Sequence, residues 1–195
     1  MLRKSLSFAA AFAALSFASA CVLGHELDEN RATLALRDKT HISITLYLAY
    51  TDALHLALAP QQPMDEFLVT RSAMKPEELQ RELLRAQAKF QAATHVFLSV
   101  AHGSPGRELA ITNWAWPEVK QVQYMIQSRI MQAVVDPNGH AHDVPVEIRA
   151  DANSTQEIES VTVLFPEEFR RVLVVSFRPK QVWAEPKGLS PEIKF

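Results

Sequence analysis

"RATLALRDKTHISITLYLAY", Arg31 to Tyr50, is the stretch that decides the fold class. Ala32, Leu34 and Leu36 fall on one side of an extended chain, Asp38 and Lys39 make a turn, and Ile42, Ile44, Leu46, Leu48 and Tyr50 resume the same spacing. A period of two marks a strand with one face in the core and one in water. Two such runs joined by a short polar turn form an antiparallel hairpin. Sliding the register by one residue would turn every side chain over, so His41, Ser43, Thr45 and Tyr47 are assigned to the face away from the core.

Outward from this hairpin the same pattern recurs. In "THVFLSVAHGSPGRELAITN" Val96, Leu98 and Val100 alternate, Gly103 to Gly106 supply a turn, and Leu109 and Ile111 continue. Three further strands are expected at Val144 to Ala150, Ser160 to Phe165 and Val172 to Phe177, the last apolar on both faces and therefore expected to be central. Between the hairpins, "KPEELQRELLRAQAKFQAA" carries Leu79, Leu83, Ala86 and Phe90 at helical spacing behind Pro76. "PEVKQVQYMIQSRIMQAVV" carries Val119, Val122, Ile126, Ile130 and Ala133 on a second stripe, and "TDALHLAL" fits a helical turn. Strands at the beginning and end with helices in the long connections argue against alternating βαβ units. The expected class is mainly β with inserted helices (α+β): an antiparallel β-sandwich of about seven or eight strands, with two amphipathic helices covering an open end or edge.

The N-terminus reads as an address. Arg3 and Lys4 precede an apolar run from Leu6 to Phe17 and the small residues Ala18, Ser19 and Ala20, the composition of a secretory signal peptide. Cleavage after Ala20 exposes Cys21, in a context resembling a degenerate bacterial lipoprotein box, where acylation would tether the protein to a membrane without spanning it. Cleavage after Gly24 exposes His25 instead. Residues 25–195 are then expected as a single β-rich domain with no transmembrane segment, exported to the bacterial periplasm or cell envelope. Cys21 is the only cysteine, so no intramolecular disulfide forms and the fold rests on its hydrophobic core. Removing residues 1–24 takes away two bases and no acid, leaving 18 bases against 22 acids, a balance that gives no support for nucleic-acid binding.

Candidate chemistry is sparse. In "DPNGHAHDVPVEIRADA" His140 and His142 share a parity and would lie about 7 Å apart on one side of an extended chain, close enough to share a transition metal. The same residues are better explained as a solvated turn after Asp136, Pro137, Asn138 and Gly139. A third ligand would have to come from His102 or from His25, whose α-amine and ring nitrogen, if freed by cleavage, would resemble the copper chelate of histidine-brace proteins. "HGSPG", residues 102–106, lacks the G-x-S-x-G elbow of a nucleophile and reads as a hairpin turn. Trp114 and Trp116 stand two apart at a strand end, and Trp183 has Arg178, Lys180 and Lys187 around it. These three indoles are candidate partner-binding residues or, for the pair, the lid of a core.

With no convincing nucleophile, nucleotide loop or acid/base pair, the expected function is that of a non-enzymatic exported binding or accessory protein, without cofactor, whose partner is an envelope protein, as in the extracytoplasmic part of a membrane complex. The alternative is a periplasmic copper- or zinc-binding protein that uses His140, His142, His102 and His25.

Overall fold

The computed structural model describes residues 30–99, 105–135 and 145–179. The first hairpin forms as its alternation requires: β1 (Asn30–Leu36) pairs antiparallel with β2 (His41–Leu48), Leu34 opposite Ile44 and Ala32 opposite Leu46. Ile44 is 1% exposed, whereas His41, Ser43, Thr45 and Tyr47 remain half-buried on the other face. Tyr50 does not extend the strand. It opens helix α1 (Tyr50–Leu58), where it is buried with Thr51, Ala53 and Leu54, so the expected turn of helix is nine residues long.

Helix α2 (Met64–Ser72) follows, then α3 (Pro76–Ala93). Pro76 sits in the first turn of α3, where its missing N–H has no intrahelical partner to lose, and Glu77 and Glu78 complement the positive end of the helix dipole. The stripe Leu79, Leu83, Ala86 and Phe90 is buried, and Arg85 on another face is in water. Strand β3 (His95–Ser99) pairs antiparallel with β4 (Pro105–Ala115), Val96 opposite Leu109. Helix α4 (Val119–Val135) buries Val122 and Ile126, but its second half leaves the core: Ala133, expected on the buried stripe, is exposed, as are Val134 and Val135.

β5 (Val146–Asn153) turns Val146, Ile148, Ala150 and Ala152 inward and is the strand that joins the two hairpins. On one side it pairs with β2, Ala150 opposite Ile44. On the other it pairs with β4, Ala152 opposite Ile111. β6 (Val161–Leu164) adds to β3, a 3-10 turn spans Glu167–Phe169, and β7 (Val172–Phe177) adds to β1. The order is β6-β3-β4-β5-β2-β1-β7, with every pair antiparallel except β1 and β7.

This corrects the expected architecture in four respects. There is one seven-stranded sheet instead of a two-sheet sandwich, because β5 zips the hairpins edge to edge and the helices supply the second layer. Four α-helices are described where two were expected, and one strand pairing is parallel. The strand expected to be central, Val172 to Phe177, is at the edge.

The sheet also curls into a half-barrel, and chain length requires it. Edges of a flat seven-stranded sheet would stand about 29 Å apart. The eight steps from Leu164 to Val172 reach at most about 29 Å when fully extended, and three of the seven residues between them are wound into the 3-10 turn, which leaves the link short of that span. Phe169 in that turn is fully buried, with its ring 5.0 Å from that of Phe90, and so pins the connection to the core. Asn30 fastens the neighbouring corner: its Nδ2 donates to Phe169 O at 2.6 Å, and its Oδ1 accepts from Ala49 N at 2.7 Å.

Candidate functional site: an open sheet edge

β7 reads "VLVVSF", six uncharged residues of which five are large and apolar. Its register against β1 sets Val174 beside Ala32 and Ser176 beside Leu34, so Val172, Val174 and Ser176 share the inner face while Leu173, Val175 and Phe177 share the outer one. Neither face is well covered: Leu173 is 38%, Val174 46%, Val175 41% and Phe177 49% exposed. Among the described residues no strand pairs with the side of β7 away from β1, so its backbone presents a row of unpaired donors and acceptors there.

The curl of the sheet turns this edge into one wall of a groove. Residues of β1, β6 and β7, including Leu34, Val161, Val163, Val174 and Ser176, line a space of about 490 Å³ with Ile158 at its floor. First and last strands of the sheet thus face one another across an apolar gap. Arg178 bridges the rim, its Nη2 donating to the carbonyls of Ile158 and Glu159 at 3.4 and 3.5 Å. Natural sheets usually guard an edge with charge, proline or a covering segment, and β7 carries none of the first two within its six residues.

A second concentration of polar groups lies on the water-facing side of the sheet. The Asp151 carboxylate accepts from His41 Nε2 at 3.0 Å and from Asn113 Nδ2 at 3.0 Å, with Ser43 Oγ at 3.5 Å. Hydrogen bonding from His41, then from Asn113, holds the Asp151 carboxyl below the ordinary carboxylate range. Asn113 adopts a left-handed backbone (φ 55°) at a bulge between β4 and β5, which aims its amide at Asp151. Arg37 donates to Ser43 Oγ, and Arg149 pairs with Glu147. His41 and Ser43 both contact the carboxylate, so the trio is a ring of donors around one acceptor and is not arranged as a nucleophile activated by a base.

Of the residues singled out from sequence, Trp114 and Trp116 stack in parallel with centroids 5.3 Å apart and both pack against the core. Trp116 lies 6.3 Å from Tyr50 and 6.2 Å from Phe90, and its buried Nε1 has no hydrogen-bond partner among the described residues. Burial pushes the neighbouring Tyr50 hydroxyl up to about 12. Trp114 also lines a shallow hollow with Gln91, Thr94, His95 and Glu108, where His95 Nδ1 meets Glu108 at 2.6 Å. Cys21, His25, His102, His140, His142 and Trp183 lie outside the described residues. The described histidines are dispersed: His41 meets Asp151, His95 meets Glu108, and His55 Nε2 meets Gln62 O. Among the described residues no three His, Cys, Asp or Glu side chains converge as a metal site would need. No described helix is long and apolar enough to cross a membrane.

No family model, curated protein or solved structure matches this chain.

Sequence reasoning noticed the apolarity of β7 and drew the wrong position from it. One signal hinted at the edge: the strand is bracketed by Arg170, Arg171 and Arg178.

Proposed function

We propose that this chain is a non-enzymatic, exported cell-envelope protein that binds a partner polypeptide by strand addition to β7. One observation carries the reading: an uncharged, two-faced apolar strand stands at the sheet edge with its large side chains exposed and an apolar groove beside it. Strand addition draws affinity from the backbone ladder and specificity from pockets that take alternate side chains. β7 supplies the ladder, and the gap between β6 and β7 is the pocket for the inward-pointing side chains. The N-terminal signal sequence supports the envelope as the place of action. A partner there, as in an extracytoplasmic accessory of a membrane complex, accounts for an edge that no strand among the described residues covers.

The test is peptide binding by the purified mature chain. Extended apolar peptides should protect the β7 amides from hydrogen exchange on titration, and Val174→Lys or Val175→Lys should abolish that protection while leaving the fold intact. Protection of no β7 amide by any extended peptide rejects the reading.

A further inference from the structure

Resting on that reading, we infer that the segment β7 receives is an apolar strand flanked by acidic residues, and that it belongs to a different polypeptide rather than to a second copy of this chain. The inference comes from how charge is placed around the edge. The strand itself has none, but Arg170 and Arg171 immediately precede it and Arg178 immediately follows it. Arg170 and Arg178 are both exposed, and neither pairs with a carboxylate among the described residues. Of the nearby acids, Glu168 is already held by Lys89 at 2.6 Å, while Glu159 and Glu167 are met by Arg178 and Arg170 only at their backbone carbonyls. A six-residue strand is about 20 Å long, so the cations mark the two ends of the docking row.

The same placement argues against self-pairing. If two copies of β7 lay antiparallel about Val174, Arg170 of each copy would stand against Arg178 of the other, at both ends. Like charges directly opposite one another destabilise a cross-strand pair, whereas an acidic residue at each of those positions would be attracted. A two-fold dimer in that register meets repulsion at both ends, and an incoming strand with Asp or Glu at its ends meets none.

Three peptides separate the possibilities, each with one common apolar hexad and flanked by Asp and Glu, by Ser, or by Lys. At low salt the acidic peptide should bind about fivefold tighter than the neutral one, and the advantage should shrink as salt is raised. In an Arg170→Glu, Arg178→Glu double variant the preference should reverse towards the Lys-flanked peptide. Equal affinity for all three, with β7 amides still protected, overturns the charge inference and leaves strand addition standing. A concentration-dependent dimer that Val175→Lys dissociates would overturn the choice of partner. Protection by none of the three removes the strand-addition reading itself.

Discussion

β2 and β7 are both rich in large apolar residues, and they occupy opposite situations. β2 lies between β1 and β5 with both edges paired, its inner residues Ile42, Ile44, Leu46 and Leu48 buried under the helices and its outer residues polar. β7 has one paired edge, and apolar residues on both faces meet water. The difference teaches that apolarity on two faces measures how much surface a strand must eventually have covered. It does not say that the covering comes from the same chain. In β2 the alternation and the burial agree, so the strand is explained by folding alone. In β7 they disagree, and the proposed strand addition would cover the surplus apolar face.

The strongest way to break this contrast is on the helical layer above β2. Leu83 is 1% exposed on the buried stripe of α3, so Leu83→Asp forces an unpaired carboxylate into an apolar interface and should unfold the protein or detach the helix. Thermal melting and far-UV circular dichroism read this directly, and an unchanged melt would contradict the packing. Next in size, Ile44→Ala removes buried volume from the centre of the sheet and should cost about 2 to 5 kcal/mol in denaturant unfolding. The matching change in β7, Val175→Ala, should cost less than about 1 kcal/mol because that side chain already meets water. Equal losses at the two sites would abolish the distinction.

The smallest expected effect concerns the polar face of β2. Hydrogen bonds to the ionised Asp151 lower its pKa, so this group stabilises the fold above the ordinary carboxylate range and loses that contribution as pH falls through its lowered folded value. Asp151→Asn should therefore flatten the fall in stability below about pH 4 by less than about 1 kcal/mol. A variant as acid-sensitive as the parent would show that the His41, Asn113 and Asp151 contacts are not maintained in solution.

Much of the fold is written in short-range pattern. Period-two spacing located both hairpins and the inward face of β5, and period 3.6 located α3 through Leu79, Leu83, Ala86 and Phe90. What pattern does not encode is which strands become neighbours. β5 joins β2 to β4 across a long separation in sequence, and nothing local in "VEIRADAN" distinguishes that from pairing in a second sheet. Helix α2 was missed because its apolar residues form no clean stripe: Phe67 and Leu68 are buried beside Arg71, which stacks on Phe67 at 4.4 Å and pairs with Glu82. The candidate site was legible as composition and illegible as position. "VLVVSF" announces apolar surface, and nothing local in it says that the surface lies at an edge, because the pairing of β7 with β1 joins segments from opposite ends of the described chain.

Hydrogen exchange of the mature protein without any added peptide tests the central claim most directly. β2, paired on both sides, should exchange only through global unfolding. In β7, the alternate amides that do not bond to β1 should exchange as fast as those of an exposed loop, while the intervening ones are slowed. That contrast between neighbouring amides is the result predicted for an open edge. Protection of all β7 amides to the level of β2 would show that the chain already covers this strand, and would contradict the account.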